Sequence, residues 1–464
     1  MNIYVKDILE KCNGKLVLGK EDTILENFSK DTRTMNINDI YVGIKGDVFE
    51  GSTLYKEALE KGALGCILND SIALDYDFLN NYKDRFIVLV NDTIKCLQEL
   101  AKHKRSLYNI PVIGVTGSVG KTSTKDIIAS VLAKKFNVLK TEGNYNNHIG
   151  VPLTILRLKN HDALVIVMGM NNLGEISLLS KIAKPTVGVI TNVGTAHIGM
   201  LKTRENILKA KLEILDGMNE NGILVINNDN DMLNSWYLNN KEFNIVTFGI
   251  ENKSDYMATH INNDMFFSSY KVNLNNRLED FKINIPGNHF VLNGLCALCI
   301  GNIFDISVEN IKNGIEVFVL TQRRMEIEKI SNVTIINDCY NANLDSMVGA
   351  LNYMGTLKNM RKIAVLGDML ELGDFEEDLH RKVGISVKNN KIDILVTVGE
   401  SSKYICDEAK KLGFGEKNIY SFNNNADAIK YLKSIVKEND AILIKASNGM
   451  KFIEIYNGLK ETLK

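Results

Sequence analysis

The amino-acid sequence predicts an α/β protein of three domains, the middle and last each a doubly wound parallel sheet. Three observations carry this. A chain of 464 residues is longer than one ordinary hydrophobic core serves. From Val112 onward, apolar runs (VIGVT, ALVIVMG, TVGVITNVG, GILVINN) alternate with helix-like stretches, and continuous apolar runs of this kind belong to parallel strands covered on both faces. Near Thr321 the alternation restarts with VTIINDC, RKIAVLGD, IDILVTVG and AILIKAS, a second such unit.

Taken in order, the first stretch mixes short strands (IYVGIKG, LGCILN, FIVLV) with helical segments. Ile94 to Tyr108 reads as an amphipathic helix with Leu97, Leu100 and Leu107 on one side. Pro111 follows and disfavours helix at the residue before it. These signals divide the chain into a small α/β domain at 1–108, a central parallel-sheet domain at 109–320 and a C-terminal domain at 321–464. No fixed-period repeat or low-complexity tract interrupts them.

Composition narrows the function classes. The hydrophobic fraction of 45% and charged fraction of 24% are those of soluble globular chains. A formal net charge of −1 gives no global basic field for nucleic acid or anionic membrane. MNIYVKDILEKCNG lacks the basic-then-apolar pattern of a signal peptide, and no stretch of eighteen uncharged apolar residues predicts a membrane span. Seven scattered cysteines suit a reducing compartment, so a cytoplasmic location is expected. Cys296 and Cys299 form a CxxC, but with no second Cys or His pair nearby and an apolar helical setting (LCALCI) they read as packing.

The sharpest local signal is GVTGSVGKT, Gly114 to Thr122, between a strand and the helix-like STKDIIASVLAKKF. Glycines let a backbone fold into a cradle of N–H groups, and a helix N-terminus adds partial positive charge. Thr116, Gly117, Ser118, Val119 and Gly120 supply the cradle. Lys121 reaches phosphate as a point charge, the Thr122 hydroxyl suits Mg²⁺, and Ser123 completes the turn. The strict pattern GxxxxGK followed by Ser or Thr puts its first glycine at position 115, which is Val here, and the glycine falls at Gly117 instead. ATP is the expected cofactor.

TGSVGKT followed by TEGNYNNHIGVPLTIL (Thr141 to Leu156) resembles the Mur ligases, F type in particular. The likeness runs through SKDTR (Ser29 to Arg33), VGIKGDVFEGS (Val42 to Ser52), Ala58, Gly62 and Ala63, then MGMNNLGEI, NVGTAHIG, KAKLEIL and PGNHFVLNGLCAL. It continues in RRMEI, NDCYNANLDSM, VLGDMLELG and KASNGMKF. The resemblance implies a UDP-sugar-binding first domain, a central ATP-binding domain and a Rossmann-like last domain. It implies ATP and Mg²⁺ as cofactors, with a UDP-linked muramoyl tripeptide and D-alanyl-D-alanine as substrates, and a monomer. ATP would phosphorylate the tripeptide carboxylate, and the dipeptide amine would then displace phosphate from the acyl phosphate through a tetrahedral intermediate. Separate domains carrying each substrate imply closure before chemistry, which excludes water.

Residue by residue, the resemblance makes Lys121, His197 and Lys211 catalytic, with Thr122, His197 and Lys211 on the metal. Lys211 matches a lysine carbamylated in many Mur ligases, a change from cation to anion. Asn293, Arg324 and Asp338 match nucleotide-contacting positions. Asp31, Arg33 and Lys45 match contacts to the UDP sugar, while Asn146, Asn147, Asn341, Asn343 and His380 fall on the substrate side. Four departures stand out. Val167 occupies the position of a usual metal-holding glutamate, Lys202 that of a glycine, Leu344 that of a proline and Asn448 that of an arginine. A valine cannot ligate a hard cation. The departures therefore leave two readings, a working ligase and a nucleotide-binding relative with weak turnover.

Overall fold

The structure is a computed structural model that describes residues 1–46 and 49–463. Asp47 and Val48, within the VGIKGDVFEGS stretch, lie outside the described residues. The remainder is mixed α/β, with three main sheets following one another along the chain.

The first sheet has five strands in the order Lys15–Leu18, Phe86–Val90, Gly65–Asn69, Ile40–Val42, Phe28–Ser29, antiparallel only at its first pair. Strand Phe86–Val90 leads into the helix Thr93–Ser106, started by Asp92, whose side chain accepts from the Ile94 and Lys95 N–H groups. Leu97 and Leu100 are buried on this helix, as its apolar spacing predicts.

The second sheet has nine strands. Seven run parallel, in the order Val138–Lys140, Ala163–Val167, Val112–Thr116, Val187–Ile190, Ile223–Asn227, Ile245–Gly249, Tyr256–Asn263. The antiparallel strands Ser268–Leu274 and Arg277–Ile283 extend it at one edge. Strand Val112–Thr116 is central and wholly buried, so its C-terminal end opens where ligands bind in such sheets. The helix Asn288–Ile303 packs on the sheet over strands Ile223–Asn227, Ile245–Gly249 and Tyr256–Asn263, with Cys296 and Cys299 fully buried and free, as packing residues.

The third sheet has six strands in the order Glu326–Ile330, Val333–Asn337, Asp440–Lys445, Arg361–Gly367, Ile394–Val398, Ile419–Phe422, antiparallel only at its first pair. One continuous core runs from the first sheet through the second to one face of the third. Among the described residues no helix is long and apolar enough to cross a membrane.

Candidate active site

The phosphate loop leaves strand Val112–Thr116 at Gly117, where φ is 150° and a Cβ would lie 1.9 Å from the Thr191 hydroxyl. Only glycine permits that approach. Gly120, at φ 84°, turns the chain into the helix Lys121–Leu132 and precedes its unpaired N–H groups. Lys121 Nζ donates to Gly117 O at 2.7 Å, folded over the loop. Burial, together with the nearby Arg324 guanidinium, pushes the Lys121 amine down to about 8.

These residues form one wall of a cavity of about 430 Å³ whose other wall comes from the third sheet. Ser118, Val119, Gly120, Lys121, Thr122 and Ser123 line it, with Asn146, Asn147, His197 and Asn293. From the far side come Arg324, Asp338, Asn341 and Asn343. Arg324 lies over the Tyr340 ring at 4.0 Å, and its Nε is buried with no hydrogen-bond partner. An unpaired guanidinium N–H in a cavity already holding Lys121 fits an anionic ligand. Asp338 is held by Lys445 at 2.5 Å and accepts the Met325 N–H at 3.1 Å. Asn293 Oδ1 accepts from Thr124 Oγ1 at 3.0 Å.

Thr116 is buried behind the loop, with its hydroxyl unpartnered. Lys211 is also buried, at 1% exposure, and burial with the nearby Lys121 charge holds its amine well below the ordinary lysine range. Burial and the Lys121 and Lys211 charges push the His197 imidazole down to about 4, so the ring is neutral at pH 7 with a lone pair free. Among the described residues no three His, Cys, Asp or Glu side chains form a metal cluster. Val167 lines the cavity at the strand end with its N–H on Thr141 Oγ1. Thr122 and His197 offer two neutral donors, which suits a cation arriving on nucleotide phosphates rather than one caged by protein.

Other expected residues lie elsewhere or serve otherwise. Asp31 and Arg33 pair with each other at 2.7 Å in the first unit, away from this cavity. The Arg33 guanidinium holds the Asp31 carboxyl down to about 2. Lys45 bridges Glu50 through its backbone, also in the first unit. Asn147 and Asn343 each use their side-chain oxygen to cap a following turn, on Gly150 N–H and Ser346 N–H, both at 2.9 Å. His380 requires correction. It has no exposed surface, Met369 N–H donates to its Nε2 at 3.0 Å, and its Nδ1 pairs with Glu376 O at 2.7 Å. A carbonyl only accepts, so Nδ1 carries the proton, and the ring braces the backbone at Met369 instead of meeting a substrate.

Several site residues were not anticipated. Asn192 Oδ1 accepts the Ser118 and Val119 N–H groups at 3.0 and 2.9 Å and so splints the phosphate loop. Lys125, Lys445 and Asp345 also line the cavity. The position of Asn192 just past an apolar strand was the one readable hint, because strand ends face ligands in parallel sheets.

Fold and cavity together define a nucleotide-binding α/β protein in which a phosphate loop on one sheet faces cations from another. Residues 115–301 match the Mur ligase middle domain, and residues 323–448 match the glutamate ligase domain of Mur ligases. The chain belongs to the Mur ligase family. It is 36% identical to the UDP-N-acetylmuramoyl-tripeptide–D-alanyl-D-alanine ligase of Bacillus subtilis, over 99% of this chain and 98% of that one. The ligase of the same name from Synechocystis is 32% identical over 96% of this chain and 94% of that one. Among solved structures, MurF from Acinetobacter baumannii superposes with a TM-score of 0.89 at 25% identity over 99% of both chains. MurF from Thermotoga maritima, in complex with ADP, gives 0.82 at 27% identity over 95% of this chain and 98% of that one.

Proposed function

We propose that this chain is an ATP-dependent, ADP-forming amide ligase that joins D-alanyl-D-alanine to UDP-N-acetylmuramoyl-tripeptide in peptidoglycan precursor synthesis. The observation that carries it is the meeting, in one cavity, of Lys121 on the phosphate loop and Arg324 beside the third sheet, whose Nε has no hydrogen-bond partner. Full-length likeness to ligases of that name supports the same activity, and nothing in it favours an idle nucleotide binder.

In this reading the helix N-terminus at Lys121 and the N–H groups after Gly120 hold the β and γ phosphates, with Lys121 and Arg324 offsetting the charge of the transferring phosphoryl group. The tripeptide carboxylate attacks that phosphorus and ADP leaves. The amine of D-alanyl-D-alanine then adds to the acyl carbon, and phosphate departs with the C–O bond electrons. Positioning carries most of the rate, since an acyl phosphate is already a strong electrophile. Asn293 faces the nucleoside, and Asp338 orients Lys445 beside it. Asn146 and Asn341 face the peptide, while Asp31, Arg33 and Lys45 serve the UDP sugar in domain 1–108. Domain 109–320 carries ATP and domain 321–464 closes on it. Thr122, His197 and a carbamylated Lys211 would hold Mg²⁺, which supplies further neutralisation of phosphoryl charge. The protein acts as a cytoplasmic monomer without nucleic-acid or membrane partners.

The test is an ADP-release assay in which each substrate is omitted in turn, run with tripeptides ending in lysine and in diaminopimelate. ADP formation that requires both the UDP-tripeptide and D-alanyl-D-alanine is expected. ATP binding without such turnover would overturn the proposal.

A further inference from the structure

The loop after strand Val187–Ile190 touches both walls of the cavity. Toward the phosphate loop, Asn192 takes the Ser118 and Val119 N–H groups, and Gly194 N–H donates to Ser118 Oγ at 2.9 Å. Toward the third sheet, Asp345 Oδ2 accepts the Thr195 N–H at 2.8 Å and the Thr195 hydroxyl at 3.1 Å. A Cβ at Gly194 would lie 2.1 Å from that same oxygen, so the carboxylate reaches the loop only because residue 194 is glycine. His197 follows two residues beyond Thr195, in the left-handed region at φ 65°. Gly199 then packs against the Glu371 and Leu372 backbone.

Asp345 is free to make this contact for a local reason. It sits in the first turn of the helix Leu344–Thr356, where a carboxylate ordinarily folds back onto its own helix. Here Asn343 already caps Ser346 N–H, and the Ser346 hydroxyl returns to Asn343 N–H at 3.1 Å. Among the described residues Asp345 forms no ion pair, and its Oδ2 takes both Thr195 bonds.

We propose that Asp345 is a positioning residue: by clasping Thr195 it transmits the seating of the third sheet to the phosphate loop, through Gly194 and Asn192. The clasp sets the His197 segment and the loop in register only when both walls are together. Nucleotide can then bind the middle sheet alone, while chemistry waits for the third. The rate consequence rests on the proposed ligase reading; the structural consequence does not.

Hydrogen–deuterium exchange of the full chain, with and without ADP, tests the structural arm in the parent, Asp345→Ala and Asp345→Asn. Amides of residues 192–200 are expected to exchange faster in Asp345→Ala and near the parent rate in Asp345→Asn, whose amide oxygen still accepts from Thr195. In steady-state kinetics, Asp345→Ala is expected to lose about 10- to 100-fold in kcat, with KM for ATP and Kd for ADP moving less than about threefold. Asp345→Asn should recover most of that loss. Unchanged exchange at 192–200 in Asp345→Ala overturns the clasp. So does a kcat loss that Asp345→Asn fails to rescue and that tracks a fall in thermal stability, the mark of a merely structural role. If the parent itself shows no ADP-forming turnover, the ligase reading fails while the exchange comparison still decides the clasp.

Discussion

Lys121 makes the binding of nucleotide depend on pH in a definite direction. Its amine titrates near pH 8 in the free protein because burial and Arg324 disfavour the charged form. Phosphate oxygens favour the charged form, so the bound-state value is higher than the free one. ADP affinity should therefore be flat below about pH 8 and fall about tenfold per pH unit above it, until the bound-state value is reached. Calorimetry should show proton uptake on ADP binding at pH 9 and little at pH 7; equal affinity across that range would sink the assignment. Lys121→Ala should remove both the binding and its pH dependence. Lys202 is the second residue with a physical signature. It has φ 68° and ψ −34°, and Thr203 N–H bonds Leu201 O across it, a strained γ-turn that L side chains rarely adopt. Glycine enters that region freely, which accounts for the glycine usual there. The Lys202–Asp374 pair it would cost is solvent-exposed and weak. Lys202→Gly should raise the unfolding free energy by about 1 kcal/mol, read from the urea midpoint at constant slope.

The same logic holds for whole elements. Helix Leu344–Thr356 begins with Asn343 as its cap, at φ −147° and ψ 170°, an extended geometry that a following proline accepts. Position 344 is the first helical residue, where proline forfeits no intrahelical bond. Leu344→Pro should stabilise the protein by about 0.4–1 kcal/mol by restricting the unfolded chain, and a lowered urea midpoint would show that leucine packing there matters more. Which elements were legible in the sequence follows from how they are buried. Parallel strands such as Ala163–Val167 are covered on both faces and announce themselves as apolar runs. The hairpin Ser268–Leu274 and Arg277–Ile283 sits at a sheet edge with one face in water, and its polar alternation carried no such signal. The phosphate loop was readable because its glycines and lysine are neighbours in sequence. Nothing local in the sequence reveals that Lys211, on the helix Arg204–Leu212, is buried within reach of the Lys121 charge. The Thr195–Asp345 contact spans 150 residues, beyond the reach of any spacing argument.

At the scale of the whole molecule, one buried cation ties the first unit to the second. Arg105, at the end of the helix Thr93–Ser106, is 8% exposed. Its Nε donates to Ala183 O at 2.8 Å and its Nη1 to Tyr108 O at 2.6 Å. Ala183 ends the helix Glu175–Ala183, which covers the middle sheet, so the guanidinium satisfies carbonyls that packing would otherwise strand. The continuous core across these units makes their unfolding cooperative as long as this junction holds. Arg105→Ala leaves those carbonyls without a donor and should cost about 2–3 kcal/mol, with Arg105→Lys recovering part of it. Trp236, the single tryptophan, lies in the helix Asp231–Leu238 on the middle unit and reports that unit alone. In the parent, Trp236 fluorescence and far-ultraviolet circular dichroism should change together in urea. In Arg105→Ala the dichroism should begin to fall first, as the first unit detaches while the middle sheet persists. Coincident transitions in the variant, with an unmoved midpoint, would mean that the apolar core alone couples the two units.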